Sequence, residues 1–309
     1  MVRHTLAPAL ACALAVALLP AAHAAEGGQR KSAQEIVEAA PPSAWRDLDQ
    51  ANLLYLTLPR GQVVIELAPG FAPAHVANIR ALARGGFWTG ASVYRVQDNF
   101  VAQWGDADSD DPARARPLPP GVAAHLPAEF TRRSRGVRFD RLPDADGWAP
   151  QVGFVDGFPA ARDPKTGQVW IAHCYGVVGA GRNNPPDSST SAELYAVIGQ
   201  SPRALDHQLS VVGRVVRGIE LLSSLPRGPA PIGVYADPAQ RTPILSAAIG
   251  SDLPPAQRLH LQALRTDSQA FIDATEARRN RVDAFYTQPA GHIDLCNVPL
   301  PVREAPAAP

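Results

Sequence analysis

The sequence predicts a mainly β protein whose strands close into an antiparallel barrel or pack as a sandwich. Three observations carry this. Short apolar or alternating runs recur between turn signals, at 53–58, 63–67, 93–96, 194–198, 210–216 and 243–249. Only two helical patterns interrupt that region, one opening at Pro73 and one spanning 218–225. Finally, 31 prolines and 24 glycines among 309 residues break up any long helix. They still stay below the roughly 25–30% that marks a low-complexity chain.

Taken in order, the chain begins with Arg3 and His4, an apolar stretch at 6–19, Pro20 and Ala22-His23-Ala24. This is the layout of a leader cleaved after Ala24, too short in its apolar part to span a bilayer. An N-terminal extension at 25–52 follows, in which Ser32 and Glu35 fit a capping box and Pro41-Pro42 stops the short helix. Leu54, Leu56 and Leu58 alternate with polar neighbours, Pro59-Arg60-Gly61 turns the chain, and 63–67 runs back as a hairpin. Pro73 sits at a first-turn position, Val76, Ile79 and Leu82 share a helical face, and Gly85-Gly86 ends that helix. A strand at 93–96, a turn at Asp98-Asn99 and a run to Trp104 come next.

Residues 107–175, rich in Pro, Arg, Asp and Gly, are expected to be an insertion made of loop with brief strand-like pieces at 152–155 and 169–172. Strand patterning resumes at Gly176. Past residue 250, Leu264, Phe271, Thr275, Val282 and Phe285 predict one face of a long Arg-rich helix from Pro254 to before Pro289, packed on the barrel. The acidic residues among Arg278, Arg279 and Arg281 mark their side as solvated.

Charge and motifs exclude more than they assign. With 29 cationic and 29 acidic residues there is no basic footprint for nucleic acid. The glycines at 176, 179 and 181 lack the spacing of a dinucleotide fingerprint, and no phosphate loop or nucleophile elbow is present. His75, His125, His173, His207, His260 and His292 show no paired ligand spacing, so no metal and no cofactor are expected. Cys174 and Cys296 are the two cysteines beyond the leader, either bonded across the intervening chain or left as buried thiols. Nothing sets an oligomeric state.

One block stands out: Tyr94-Arg95-Val96-Gln97-Asp98-Asn99-Phe100-Val101-Ala102-Gln103-Trp104-Gly105-Asp106. It resembles the most recognisable segment of the cyclophilin family of peptidyl-prolyl isomerases. The hairpin and first helix before it resemble the family in the right order, as do Ser191-Ala192-Glu193-Leu194-Tyr195, Leu205-Asp206 and Val211-Val212-Gly213-Arg214 after it. The resemblance covers 53–250 and implies an eight-stranded antiparallel barrel capped by two helices, with a helical extension at 251–309.

It also implies a function, isomerisation of Xaa-Pro bonds in proline-containing polypeptides. That chemistry requires no proton abstraction, covalent intermediate or cofactor. By resemblance Arg95 is the catalytic cation, Phe100 the floor of the proline pocket and Gln103 the residue holding Arg95 and the substrate backbone. Tyr94, Glu193, Tyr195 and Leu209 line the rest of the slot. Tyr94 replaces a frequent His, Glu193 a frequent Gln and Leu209 a frequent His, so the rim departs from the family pattern. Glu193 adds a carboxylate that could pair with Arg95 and draw it from the substrate. Export, with a periplasm as the expected destination, follows from the leader. The alternative is a non-catalytic proline-peptide binding module or holdase using the same slot.

Overall fold

The computed structural model describes residues 30–306, and the predicted leader at 1–24 lies outside them. Helix α1 (Ala33–Glu38) starts on the capping box, Ser32 and Glu35 each bonding the other's backbone N–H. Strand β1 (Trp45–Asp47) follows, then the hairpin β2 (Leu53–Leu58) and β3 (Gly61–Leu67), registered with Leu53 opposite Glu66 and Leu58 opposite Gly61. Helix α2 (Pro73–Arg84) turns Val76, Ile79 and Leu82 inward. β4 (Ser92–Val96) and β5 (Val101–Gly105) form a second hairpin.

The chain then makes β6 (Arg132–Arg133), β7 (Asp140–Leu142), β8 (Gln151–Val155), β9 (Phe158–Asp163) and β10 (Gln168–Ile171). It returns as β11 (Val177–Ala180), β12 (Leu194–Val197), β13 (Val211–Arg217), α3 (Ile219–Ser223), β14 (Thr242–Pro243) and β15 (Ser246–Ile249). β16 (Leu261–Leu264), α4 (Gln269–Arg279) and β17 (Val302–Glu304) complete it.

The largest sheet runs β14-β4-β5-β12-β11-β13-β3-β2-β15. Its two outermost strands belong to one stretch of chain, which bonds to both edges: at its corner the Ile244 N–H donates to the Ala91 carbonyl and the Leu245 N–H to the Thr57 carbonyl, each at 2.8 Å. The sheet curls until its edges meet on residues 242–249, so eight runs of chain surround one apolar interior. Leu54, Leu56, Val63, Ile65, Trp104, Val178, Leu194 and Val212 fill it, and Ile79 and Leu82 of α2 and Leu222 of α3 cap it. Alternation along each strand leaves a second face outward.

Expectations for the insertion and the tail are corrected. Residues 107–175 are not loop: β6-β10-β9-β8-β7 form a five-stranded antiparallel sheet. The breakers that obscured it are its turns, for Asp156 (φ 51°) and Gly157 (φ 82°) make the tight reversal between β8 and β9. The tail is not one long helix either. Leu264 ends β16, the middle strand of a β1-β16-β17 sheet, and the helix begins only where the Ser268 hydroxyl accepts from the Phe271 N–H. It stops before Asn280, so Val282 and Phe285 lie beyond it and are exposed.

Helix α4 packs on the insertion sheet instead of on the barrel, Phe271 meeting Phe154 edge-on with centroids 5.0 Å apart. Arg279 is not solvated: its guanidinium lies 2.6 Å from Asp144. Trp45 before the barrel, Phe154 and Trp170 in the insertion, and Leu264, Phe271 and Leu295 after it share a second apolar core. A Cys174–Cys296 disulfide joins the end of the insertion to the tail beside that core. No helix among the described residues is long and apolar enough to cross a membrane.

Candidate active site

The sequence-predicted residues come together on the outer face of β4, β5 and β12. Period-two alternation sends Ala102, Trp104, Leu194 and Ala196 inward, and their neighbours Val101, Gln103, Tyr195 and Val197 outward. Gln103 stands directly opposite Tyr195 in the ladder. The β4–β5 register slips between Val93 and Arg95, so the extra residue at Tyr94 lets two consecutive side chains reach one partner. Gln103 Oε1 accepts from Arg95 at 2.9 Å while its Nε2 donates to the Tyr94 hydroxyl.

Arg95 also donates from Nε to the Ile232 carbonyl at 2.7 Å and from its other terminal nitrogen to Gln97 Oε1. Three of the five guanidinium donors are thereby occupied and two remain. The guanidinium carbon is 5.7 Å from the centre of the Phe100 ring. Half-burial pulls the Arg95 pKa down, though an arginine stays charged at any physiological pH.

Phe100 is held by the turn before it. Asn99 adopts a left-handed φ of 50°, and its Oδ1 accepts from the Gln200 N–H at 2.7 Å. A Cβ on Gly199 would lie 2.1 Å from the Asn99 backbone, which is why this close approach takes glycine. Phe100 and Leu209 pack on Val101, Tyr195 and Val197, making an apolar floor on the outside of the barrel. The groove over it has a volume of about 530 Å3 and includes Tyr94, Arg95, Gln103, Glu193, Tyr195 and Leu209. All seven predicted residues thus share one groove.

Glu193 does not pair with Arg95. Glu193 Oε2 accepts from the Tyr94 hydroxyl at 2.8 Å and Oε1 from the Asp106 N–H at 2.6 Å, while Arg95 faces Gln103 and Gln97. Burial pushes the Glu193 carboxyl up to about 7. Burial, followed by the nearby Glu193 charge, raises Tyr94 well above the ordinary phenol range.

Some contributors are invisible in the motif. The start of the insertion supplies a wall through Ser109, Asp110, Arg116 and Leu118. Arg116 anchors it by donating to the carbonyls of Phe87 at 2.7 Å and Thr89 at 3.1 Å. Under the floor, the Tyr195 hydroxyl lies 3.0 Å from His173 Nε2, and His173 Nδ1 lies 2.9 Å from Asp206. Asp206 also accepts from Arg203 at 2.7 Å and from the Trp170 indole N–H at 3.2 Å. Burial opposes its ionisation, but the His173 and Arg203 bonds outweigh it and hold the carboxyl below the ordinary aspartate value. His173 has no spacing signal, because its partners Tyr195 and Asp206 lie 22 and 33 residues away. Among the described residues no group of three or more His, Cys, Asp and Glu side chains is arranged to hold a metal ion.

Comparison with known proteins identifies the family. The sequence model for "Cyclophilin type peptidyl-prolyl cis-trans isomerase/CLD" matches residues 53–249, well over half the chain. The chain belongs to the cyclophilin family of peptidyl-prolyl cis-trans isomerases. Among solved structures, this cyclophilin is similar to cyclophilin AquaCyp293 from Hirschia baltica. The two are 28% identical with a TM-score of 0.67, over 87% of this chain and 96% of that one. That likeness reaches past the family block into the added segments. A Brucella suis protein named "Probable peptidyl-prolyl cis-trans isomerase" is 27% identical over 66% of this cyclophilin and 85% of its own length. Peptidyl-prolyl cis-trans isomerase CYP23 of Arabidopsis thaliana is 25% identical over 65% of this chain and 71% of its own.

Proposed function

We propose that this cyclophilin isomerises Xaa-Pro bonds of exported polypeptides, with Arg95 stabilising the twisted imide over a proline seat built on Phe100. Amide resonance sets a barrier of about 18–20 kcal/mol. Twisting the bond returns the nitrogen lone pair to the prolyl nitrogen, which then accepts a hydrogen bond that the planar amide cannot. A donor fixed at that position binds the transition state in preference to either ground state. The observation that carries the reading is the held guanidinium: Gln103, Gln97 and the Ile232 carbonyl take three donors and leave two, beside the Phe100 ring. Leu209, Val101 and Tyr195 give the pyrrolidine ring an apolar surround, and the Xaa backbone lies along Gln103.

Export is supported by the leader-like residues 1–24 and by the Cys174–Cys296 bond, since disulfides persist in oxidising compartments. A periplasm fits both. Intact mass of the protein recovered from the periplasmic fraction tests this: the expected first residue is Ala25, and an uncleaved chain in the cytoplasm refutes it.

The catalytic reading is tested by magnetisation-exchange NMR on a short Ala-Pro peptide, with the wild type and Arg95→Ala. The expected loss in kcat/KM is about a hundred- to a thousandfold, the scale of removing one transition-state donor. Equal rates for the two proteins would sink the assignment. Peptide binding with no acceleration by the wild type would select the holdase or binding module.

A further inference from the structure

Glu193 makes no contact with the guanidinium, yet the polar side chains of the groove form one directed chain that ends on its carboxylate. Arg95 donates to Gln103 Oε1, Gln103 Nε2 donates to the Tyr94 oxygen, and the Tyr94 hydroxyl donates to Glu193 Oε2. The Asp106 backbone N–H donates to the other carboxylate oxygen. Both ends are unambiguous, because a guanidinium can only donate and an ionised carboxylate can only accept. The two groups between them could face either way, and the ends decide their direction.

Protonating Glu193 removes one of those ends. Oε1 must keep accepting from the Asp106 N–H, so the proton sits on Oε2 and points at the Tyr94 oxygen. The tyrosine proton must then leave the carboxyl: turned toward Gln103 it meets an amide N–H, and turned out of the chain it loses its charged acceptor. Flipping the Gln103 amide relieves that conflict only by setting an N–H against Arg95. Each arrangement costs Tyr94 its carboxylate acceptor, and the ones that keep the tyrosine proton inside the chain set two donors face to face, at Tyr94 with the amide as it stands or at Arg95 once it flips, so the Gln103 anchor of the guanidinium is loosened.

We propose that Glu193 is a positioning residue for Arg95, acting through Tyr94 and Gln103, and that its ionised form is the one that orients the guanidinium for isomerisation. This rests on the assignment of Arg95 as the catalytic cation. The fold makes room for the carboxylate: a Cβ on Gly105 would fall 2.2 Å from Glu193 Oε2, and one on Gly181 would fall 3.1 Å from its Cβ.

The surroundings favour a switch near neutrality. Burial pushes the Glu193 carboxyl up to about 7, and the charge of Asp106 at the end of β5 adds to the rise. Asp106 is itself occupied by the N–H groups of Asp108 and Arg116. From β4, Tyr94 stays neutral and Arg95 stays charged through this range. From the insertion wall come Asp110 and Arg116, the latter spent on the Phe87 and Thr89 carbonyls. Beyond β11 stands Arg182, spent on the carbonyls of Gln208, Asn183 and Asn184.

The test is kcat/KM for a blocked Ala-Pro peptide by magnetisation-exchange NMR, from about pH 5.5 to pH 8.5, with the wild type, Glu193→Gln, Tyr94→Phe and Arg95→Ala. The wild type is expected to gain about tenfold on the alkaline side, the worth of one charge-assisted hydrogen bond. Its midpoint is expected at about 7. Glu193→Gln and Tyr94→Phe are expected to give flat profiles at the wild type's acid-side level. In Tyr94→Phe the Glu193 carboxyl should still titrate by 13C NMR, which separates loss of coupling from loss of the group. A flat wild-type profile, or an acid limb that survives in either variant, overturns the proposal while Arg95→Ala remains impaired. If Arg95→Ala matches the wild type, the catalytic reading falls and this inference falls with it. Should Glu193→Gln fail to fold, the Tyr94→Phe profile decides by the same criterion.

Discussion

Replacing both Cys174 and Cys296 by alanine removes the one covalent link between the insertion and the tail. The two positions are 122 residues apart in sequence, and closing a loop of that length restricts the unfolded chain by about 5 kcal/mol in the chain-entropy model. Native disulfides deliver about 2–5 kcal/mol, so the double variant is expected to lose stability in that range. For a chain of this size the loss corresponds to a fall in Tm of roughly 3–8 °C.

The added core should feel it first, because it joins segments from before, within and after the barrel and the disulfide ties the second of these to the third. Urea unfolding followed by tryptophan fluorescence, with linear extrapolation, measures the change. Trp45 and Trp170 sit in the added core, while Trp88 and Trp104 sit in the barrel. Wild type kept reduced should reproduce the variant, and isomerase activity at ambient temperature should survive because the groove is built on barrel strands. A double variant within about 1 kcal/mol of the oxidised wild type would refute the reasoning, since the unfolded-state constraint would then be absent.

Three further outcomes are expected. Phe100→Ala should raise the peptide KM about tenfold and leave the circular dichroism unchanged, since Phe100 lies on the outside of the barrel and is only partly buried; an unfolded variant would make Phe100 core. Gly179→Ala places a Cβ 2.1 Å from the Tyr195 hydroxyl oxygen. It should displace Tyr195 from His173, cost about 1–3 kcal/mol in urea unfolding and lower activity; wild-type stability would refute the contact. Glu193 should also mark stability. Its carboxyl is raised from 4.5 to about 7 in the folded state, so its contribution is complete below 4.5 and is lost as pH climbs to about 7. The loss is about 3 kcal/mol. Glu193→Gln should lack it, so urea midpoints measured at about pH 4.5 and pH 8 should diverge between the two proteins; parallel curves would exclude a raised carboxyl.

The barrel was legible because its strands carry their own pattern. Leu54, Leu56 and Leu58 alternate, and Val76, Ile79 and Leu82 repeat at helical spacing, because each element has one face in a common apolar interior. The β4–β5 block was legible because Arg95, Phe100 and Gln103 lie within nine residues on a single hairpin. The insertion was misread because its strands are short and its turn residues look like loop composition. The tail was misread because β16 has only four residues, and nothing local says that its partners are Trp45–Asp47 and Val302–Glu304.

Local residue pattern alone sets which faces are apolar, where the chain turns, and which short block resembles a cyclophilin groove. Tertiary structure alone decided the partners. It set Glu193 against Tyr94 and Asp106 instead of Arg95, put His173 and Asp206 beneath Tyr195, and closed Cys174 on Cys296. The reason is physical: periodicity records only whether a side chain meets apolar surroundings or water. Which donor meets which acceptor depends on how distant segments close on one another, and on a single-residue slip at Tyr94 that no local pattern encodes.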